Sequence, residues 1–172
     1  MSDAISDYNK AIQMDPRNTD AFYGRGVVYD ENGDFKQAVE DFTRVIEMDP
    51  GRVEAYCRRG NSAIYETKLE QAIADYTKAI NLNSKDANLF QSRGFAYGMK
   101  GESDKAISDF TEAISLNPTN GLNYFGRGSV RSKKNDFRGE IEDLKRAMEF
   151  TPSVKEKEKL KRYIDEAKKK IK

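Results

Sequence analysis

The dipeptide Arg-Gly recurs at Arg25-Gly26, Arg59-Gly60, Arg93-Gly94 and Arg127-Gly128, and every step is 34 residues. Other columns keep the same spacing. Pro16, Pro50, Pro118 and Pro152 fall on it, with Ser84 in the vacant place. So do Asp7, Asp41, Asp75, Asp109 and Asp143, and the large residues Tyr8, Phe42, Tyr76, Phe110 and Leu144. A period of this length is one supersecondary unit. Such a unit cannot bury both of its faces alone, so neighbouring copies must stack.

Within one period the pattern reads as two helices. Phe22, Arg25, Gly26 and Tyr29 are spaced as one face of a helix. Gly33-Asp34 supplies a turn. Ala38, Phe42, Val45 and Ile46 mark one face of a second helix, which Asp49-Pro50-Gly51 ends because proline cannot continue it. Gly26 and Ala38 let the two antiparallel backbones approach. Phe22 and Phe42 are expected to fill the space between hairpins, and the column Phe22, Tyr56, Phe90 and Tyr124 to be core.

This order of aromatic, small residue, tyrosine, alanine, aromatic and proline resembles the tetratricopeptide repeat (TPR) over Ala4 to Pro152. The resemblance implies an all-α, right-handed superhelical solenoid of stacked antiparallel helix hairpins. Four units are expected at 19–52, 53–86, 87–120 and 121–154. A half repeat at 1–18 supplies a second helix only, so the array is expected to begin mid-repeat, either as part of a longer array or with an unpaired helix. Ser153, three residues before Glu156, reads as a helix start. Leu160, Tyr163, Ile164, Ala167 and Ile171 then form one apolar stripe of a capping helix at 153–172.

Arginine stands where the family has a large apolar residue, and a buried arginine needs a partner. Arg25, Arg59, Arg93 and Arg127 each precede an aspartate, Asp41, Asp75, Asp109 or Asp143, at one fixed offset across the turn. A structural ladder of Arg–Asp pairs within each unit is therefore expected, with Asp7 left without an arginine of its own. In the fourth unit Arg131 and Glu140 replace the usual tyrosine and alanine. They are expected either to pair, or to mark looser packing that Gly139 relieves.

The resemblance also implies a concave groove lined by first helices. Its residues here are Tyr23 and Val27, then Cys57, Arg58, Asn61 and Tyr65, then Asn88, Gln91, Phe95 and Met99, and finally Phe125, Ser129 and Lys133. Exposed aromatics among amides suit an extended peptide or a partner helix. Of the residues by which one TPR subfamily clamps chaperone carboxylates, Asn61 alone fits, so that specificity is not expected.

Composition excludes several chemistries. The chain has no histidine and one cysteine, so no zinc site and no Cys–His pair can form within it. No phosphate-cradling glycine loop is present. No enzyme activity, no cofactor and no metal are expected. Lys plus Arg number 30 and Asp plus Glu 29, which points to no specific nucleic acid. No apolar run reaches transmembrane length. A lone Cys57 suits a reducing, cytoplasmic (intracellular) setting.

The expected function is a protein–protein interaction scaffold or adaptor that binds a peptide segment or partner helix. A second reading is self-association into a homo-oligomer, through Ala4, Ile5, Tyr8, Ala11 and Ile12 of the half repeat. A third is binding of an acidic partner or anionic surface by the final twenty residues, which carry nine Lys or Arg against four Asp or Glu.

Overall fold

The computed structural model describes residues 2–171, and among them lie ten helices and no strand. They fall into two compact units, one ending at Ser84 and the other beginning at Lys85. The first unit holds α1 (Ser2–Met14), α2 (Thr19–Asn32), α3 (Phe35–Met48), α4 (Val53–Tyr65) and α5 (Leu69–Leu82). The second holds α6 (Ala87–Lys100), α7 (Ser103–Leu116), α8 (Gly121–Lys133), α9 (Phe137–Phe150) and α10 (Val154–Lys170). Within each unit every helix packs against the next in sequence.

Local chemistry sets the helix boundaries. The side chains of Asn18, Asp86, Asn120, Asp136 and Ser153 each accept a bond from a first-turn backbone N–H, satisfying a donor the helix cannot pair itself. The tight turn inside each hairpin needs a left-handed residue at one lattice position. Gly33 (φ 83°) and Gly101 (φ 85°) supply it without strain, whereas Thr67 (φ 58°) and Asn135 (φ 61°) adopt it with side chains.

The core runs along the second helices. Ala38, Phe42 and Val45 on α3 are fully buried, as are Ala106, Phe110 and Ala113 on α7. In two places the large residue of a second helix meets a glycine on the following first helix. Tyr8 lies against Gly24, and Phe110 lies so close to Gly126 that an added Cβ would stand 2.5 Å from the ring. Where the large residue shrinks to Leu144, α10 presents Leu160, and the two share a cluster with Ala147 and Ile164. The last helix thus packs as a further first helix.

The expected aromatic core column is only partly core. Tyr56 is buried, but Phe22, Phe90 and Tyr124 are half-buried. Each of these rings lies beside the guanidinium one turn on, 5.5 to 5.9 Å from ring centre to Cζ of Arg25, Arg59, Arg93 or Arg127. The tyrosines also reach back to cap a loop, Tyr56 donating to the Pro50 carbonyl and Tyr124 to that of Pro118.

Candidate functional site

The arginine column is bound at both ends. Arg25 donates Nε and Nη2 to Asp41 at 2.8 and 2.6 Å. Arg59 does the same to Asp75 at 2.9 and 2.6 Å, and Arg93 to Asp109 at 2.8 Å twice. Arg127 holds Asp143 at 3.0 and 2.7 Å. The third guanidinium nitrogen, Nη1, crosses to the preceding second helix: Arg25 to Asn9 at 2.6 Å, Arg59 to Thr43 and Arg127 to Thr111, both at 3.0 Å. Thr43 and Thr111 donate their own hydroxyl protons to Val39 and Ile107 carbonyls, which leaves a lone pair for the arginine. Sequence reasoning placed these bonds inside single hairpins and missed the link between hairpins.

The aspartates raise the affinity of Arg25 and Arg93 for their protons, more than burial lowers it. For Asp75, burial pushes the carboxyl up against the opposing pull of Arg59. Burial likewise pushes the Tyr76 phenol up, and its hydroxyl donates to Asn61 at 2.7 Å.

The pair suggested for the fourth hairpin has other partners. Arg131 donates to Asp143 at 3.0 Å and to the Gly139 carbonyl at 3.3 Å, not to Glu140. Arg131 lies one turn beyond Arg127 on α8, so both face the same carboxylate. A Cβ on residue 139 would collide with Asp136 and Arg131, so Gly139 makes room for this arrangement. Glu140 is buried, and its Oε2 has no hydrogen-bond partner.

On the first unit, Tyr23 packs its ring on Phe42 and lies under the Arg52 guanidinium, 4.2 Å from ring centre to Cζ. Val27 and Cys57 are half-buried. Arg58 is committed to Asp30 at 3.3 Å, and the buried Ser62 hydroxyl donates to the same carboxylate at 2.6 Å. Asn61 and Tyr65 are exposed. Tyr65 stacks flat on Phe35 with ring centres 4.3 Å apart, and these rings, Asp30, Asn61 and Ile64 line an open cleft of about 370 Å³.

On the second unit, Asn88, Phe95, Met99 and Lys133 are exposed. Phe95 stands edge-on to Phe110, 5.0 Å between centres, and Lys133 donates to the Gly98 carbonyl. Gln91 is tied to the buried Asn123, and Ser129 is half-buried. A larger cleft of about 450 Å³ opens between α8, the end of α9 and α10, lined by Leu122, Phe125, Phe150, Leu160 and Tyr163, with Asn120, Glu156 and Lys159 at its polar margin. Phe125 stacks on Tyr163 at 6.4 Å, and Leu122 is 60 % exposed. Sequence reasoning treated α10 as a cap, or as a basic surface for an acidic partner, and left Lys159 and Tyr163 off the groove face. The signal was present: one further period from Phe125 and Ser129 reaches those two residues.

Ala4, Ile5, Tyr8, Ala11 and Ile12 are half-buried on α1. No helix among the described residues is long and apolar enough to cross a membrane.

Comparison with known families and structures agrees with this architecture. Tetratricopeptide repeat models match residues 19–52 and 87–120, and a TPR repeat model matches 2–33 and 66–101. A crystal structure of MamA is similar at 27 % identity and TM-score 0.83, covering 85 % of each chain. A MamA fragment from Desulfovibrio magneticus RS-1 is similar at 20 % identity and TM-score 0.83, covering 87 % of this chain and 84 % of that one. YrrB, described as a TPR protein with an unusual peptide-binding site, is similar at 21 % identity and TM-score 0.81, covering 96 % of this chain and 81 % of that one. No curated protein matches.

Proposed function

The chain belongs to the tetratricopeptide repeat family, an all-α repeat solenoid of the protein-interaction scaffold class, and from that premise we propose that it holds a peptide segment or partner helix on the faces of its first helices. The observation that carries this reading is the cleft between α8 and α10. It is lined by both apolar and polar side chains, and it leaves Leu122 open to water beside the stacked Phe125 and Tyr163. An apolar anchor flanked by hydrogen-bonding groups is what a partner side chain needs for affinity and orientation. The stacked Tyr65–Phe35 cleft offers a second foothold on the first unit, with Asp30 and Asn61 as its polar groups. The ladder arginines serve the scaffold, since their donors are engaged. Cys57 as a thiol fits an intracellular setting.

Selection of peptides from a random display library against the full chain tests the reading. Selected peptides should carry an apolar or aromatic anchor, and Leu122→Asp should weaken them about tenfold or more, the usual effect of damaging a buried anchor pocket. Peptides that bind Leu122→Asp and Tyr65→Ser as well as the parent chain would remove both clefts from the proposal.

A further inference from the structure

The geometry points to the Tyr65–Phe35 cleft of the first unit as a receptor for one arginine side chain of an extended peptide, a specificity that rests on the peptide-holding function proposed above. Tyr65 lies flat on Phe35, with the ring planes 7° apart, so Phe35 covers one face of the tyrosine. Tyr65 is nevertheless 68 % exposed, which leaves much of the ring open to water. The face of an aromatic ring carries the negative part of its quadrupole and attracts a cation.

The same cleft holds a negative charge that the protein itself orients. Asp30 lines it; the buried Ser62 hydroxyl donates to Oδ1 at 2.6 Å, and Arg58 donates to Oδ2 through one bond at 3.3 Å. A carboxylate offers about four acceptor sites, so these two bonds leave room for more. The second unit shows that one carboxylate in this fold can serve two arginines, since Asp143 accepts from both Arg127 and Arg131. The exposed neighbours of Asp30 and Phe35 in the chain are two acids, Glu31 and Asp34, against one base, Lys36.

Charge and shape together select arginine over lysine. A guanidinium is planar, so it can lie along the Tyr65 ring while its edge donates to Asp30, whereas an ammonium is a point charge without a stacking face. Asn61 serves the peptide backbone. Its Oδ1 accepts from the Tyr76 hydroxyl at 2.7 Å, which leaves the amide nitrogen of this exposed residue to donate to a peptide carbonyl.

The probe is a capped five-residue peptide with arginine at its centre between two leucines, compared with twins carrying lysine or citrulline, the neutral isostere of arginine. Nuclear magnetic resonance titration of the full chain reads both place and affinity. With the arginine peptide, amide shifts should centre on Phe35, Asn61 and Tyr65. Affinity should fall about tenfold with citrulline, as when a charge-assisted contact becomes neutral. It should fall less with lysine, and about threefold or more for Tyr65→Leu, the scale of one exposed cation–π contact. Tyr65 is largely exposed, so that variant should fold as the parent does. Equal affinity for arginine and citrulline, indifference to Tyr65→Leu, or no binding of the arginine peptide would each overturn the assignment. Shifts confined to α8 and α10 would also overturn it and leave the peptide-holding reading intact, whereas that reading falls only if the display library yields no peptide for either cleft.

Discussion

Arg59 and Thr43 join consecutive hairpins: Nη1 of the arginine donates to the threonine hydroxyl at 3.0 Å, while its other two donors lie on Asp75. One planar side chain thus fixes the two helices of its own hairpin and sets their height against the hairpin before. Lysine, a point charge, could not serve three acceptors in a plane.

Removing that side chain should be costly. Asp75 is nearly inaccessible to solvent, so Arg59→Ala should lower unfolding stability by about 3–5 kcal/mol, the usual result of leaving a buried charge unpaired. Thr43→Val removes the link between hairpins, with the hydroxyl's bond to the Val39 carbonyl, and should cost about 1 kcal/mol. Urea unfolding of the full chain followed by circular dichroism separates the two. Equal midpoints for both variants would mean that the Asp75 pair adds nothing beyond the inter-hairpin bond.

Glu140 stands where the other three hairpins have fully buried Ala38, Ala72 and Ala106. Its Oε2 has no partner, so Glu140→Ala should stabilise the chain by about 1–3 kcal/mol, the desolvation cost of an unsatisfied buried polar group. A rise in thermal midpoint checks this. A fall would show that the carboxylate holds α8 and α9 together.

Thr67 occupies the left-handed turn position that Gly33 and Gly101 occupy in neighbouring hairpins. Thr67→Gly should relieve about 1 kcal/mol of backbone strain, net of the greater freedom glycine has when unfolded. The measurement is again the thermal midpoint, and Gly101→Thr should move it the opposite way.

Glu102 sits between the amines of Lys100 at 2.8 Å and Lys105 at 2.6 Å, and their hydrogen bonds hold its carboxyl below the ordinary glutamate range. The folded state therefore binds its proton less readily than the unfolded chain. Its contribution to stability is complete above the unfolded glutamate pKa and is lost as pH falls through the lower, folded value. Glu102→Gln should thus be less stable than the parent at neutral pH and equal to it in strong acid, with the gap shrinking in high salt. A constant gap from neutral pH to pH 3 would count against the pairing.

Legibility varied with the reach of each interaction. The hairpin and its boundaries follow from spacing along one helix and from residues such as Pro50 and Gly33, which act on their own backbone. Arg25 and Asp41 can be related from sequence because a turn of constant length separates them. The fourth hairpin misled: Arg131 and Glu140 look like a compensating pair, yet Arg131 shares α8's face with Arg127 and so finds Asp143. The half-burial of Phe22 and Phe90 was likewise hidden, because it depends on how much of each ring the neighbouring helices cover.

The amino-acid order alone determined that this chain makes repeated two-helix units of the tetratricopeptide type, because a 34-residue recurrence of small, aromatic and turn-forming residues acts through bonds and contacts close in sequence. The folded arrangement alone decided that Nη1 of Arg59 crosses to Thr43, that Tyr163 of the last helix stacks on Phe125, and that Glu140 ends without a partner for Oε2. Those outcomes rest on the angle and depth at which separate helices meet. That angle and depth come from packing many side chains at once, not from the spacing of any two.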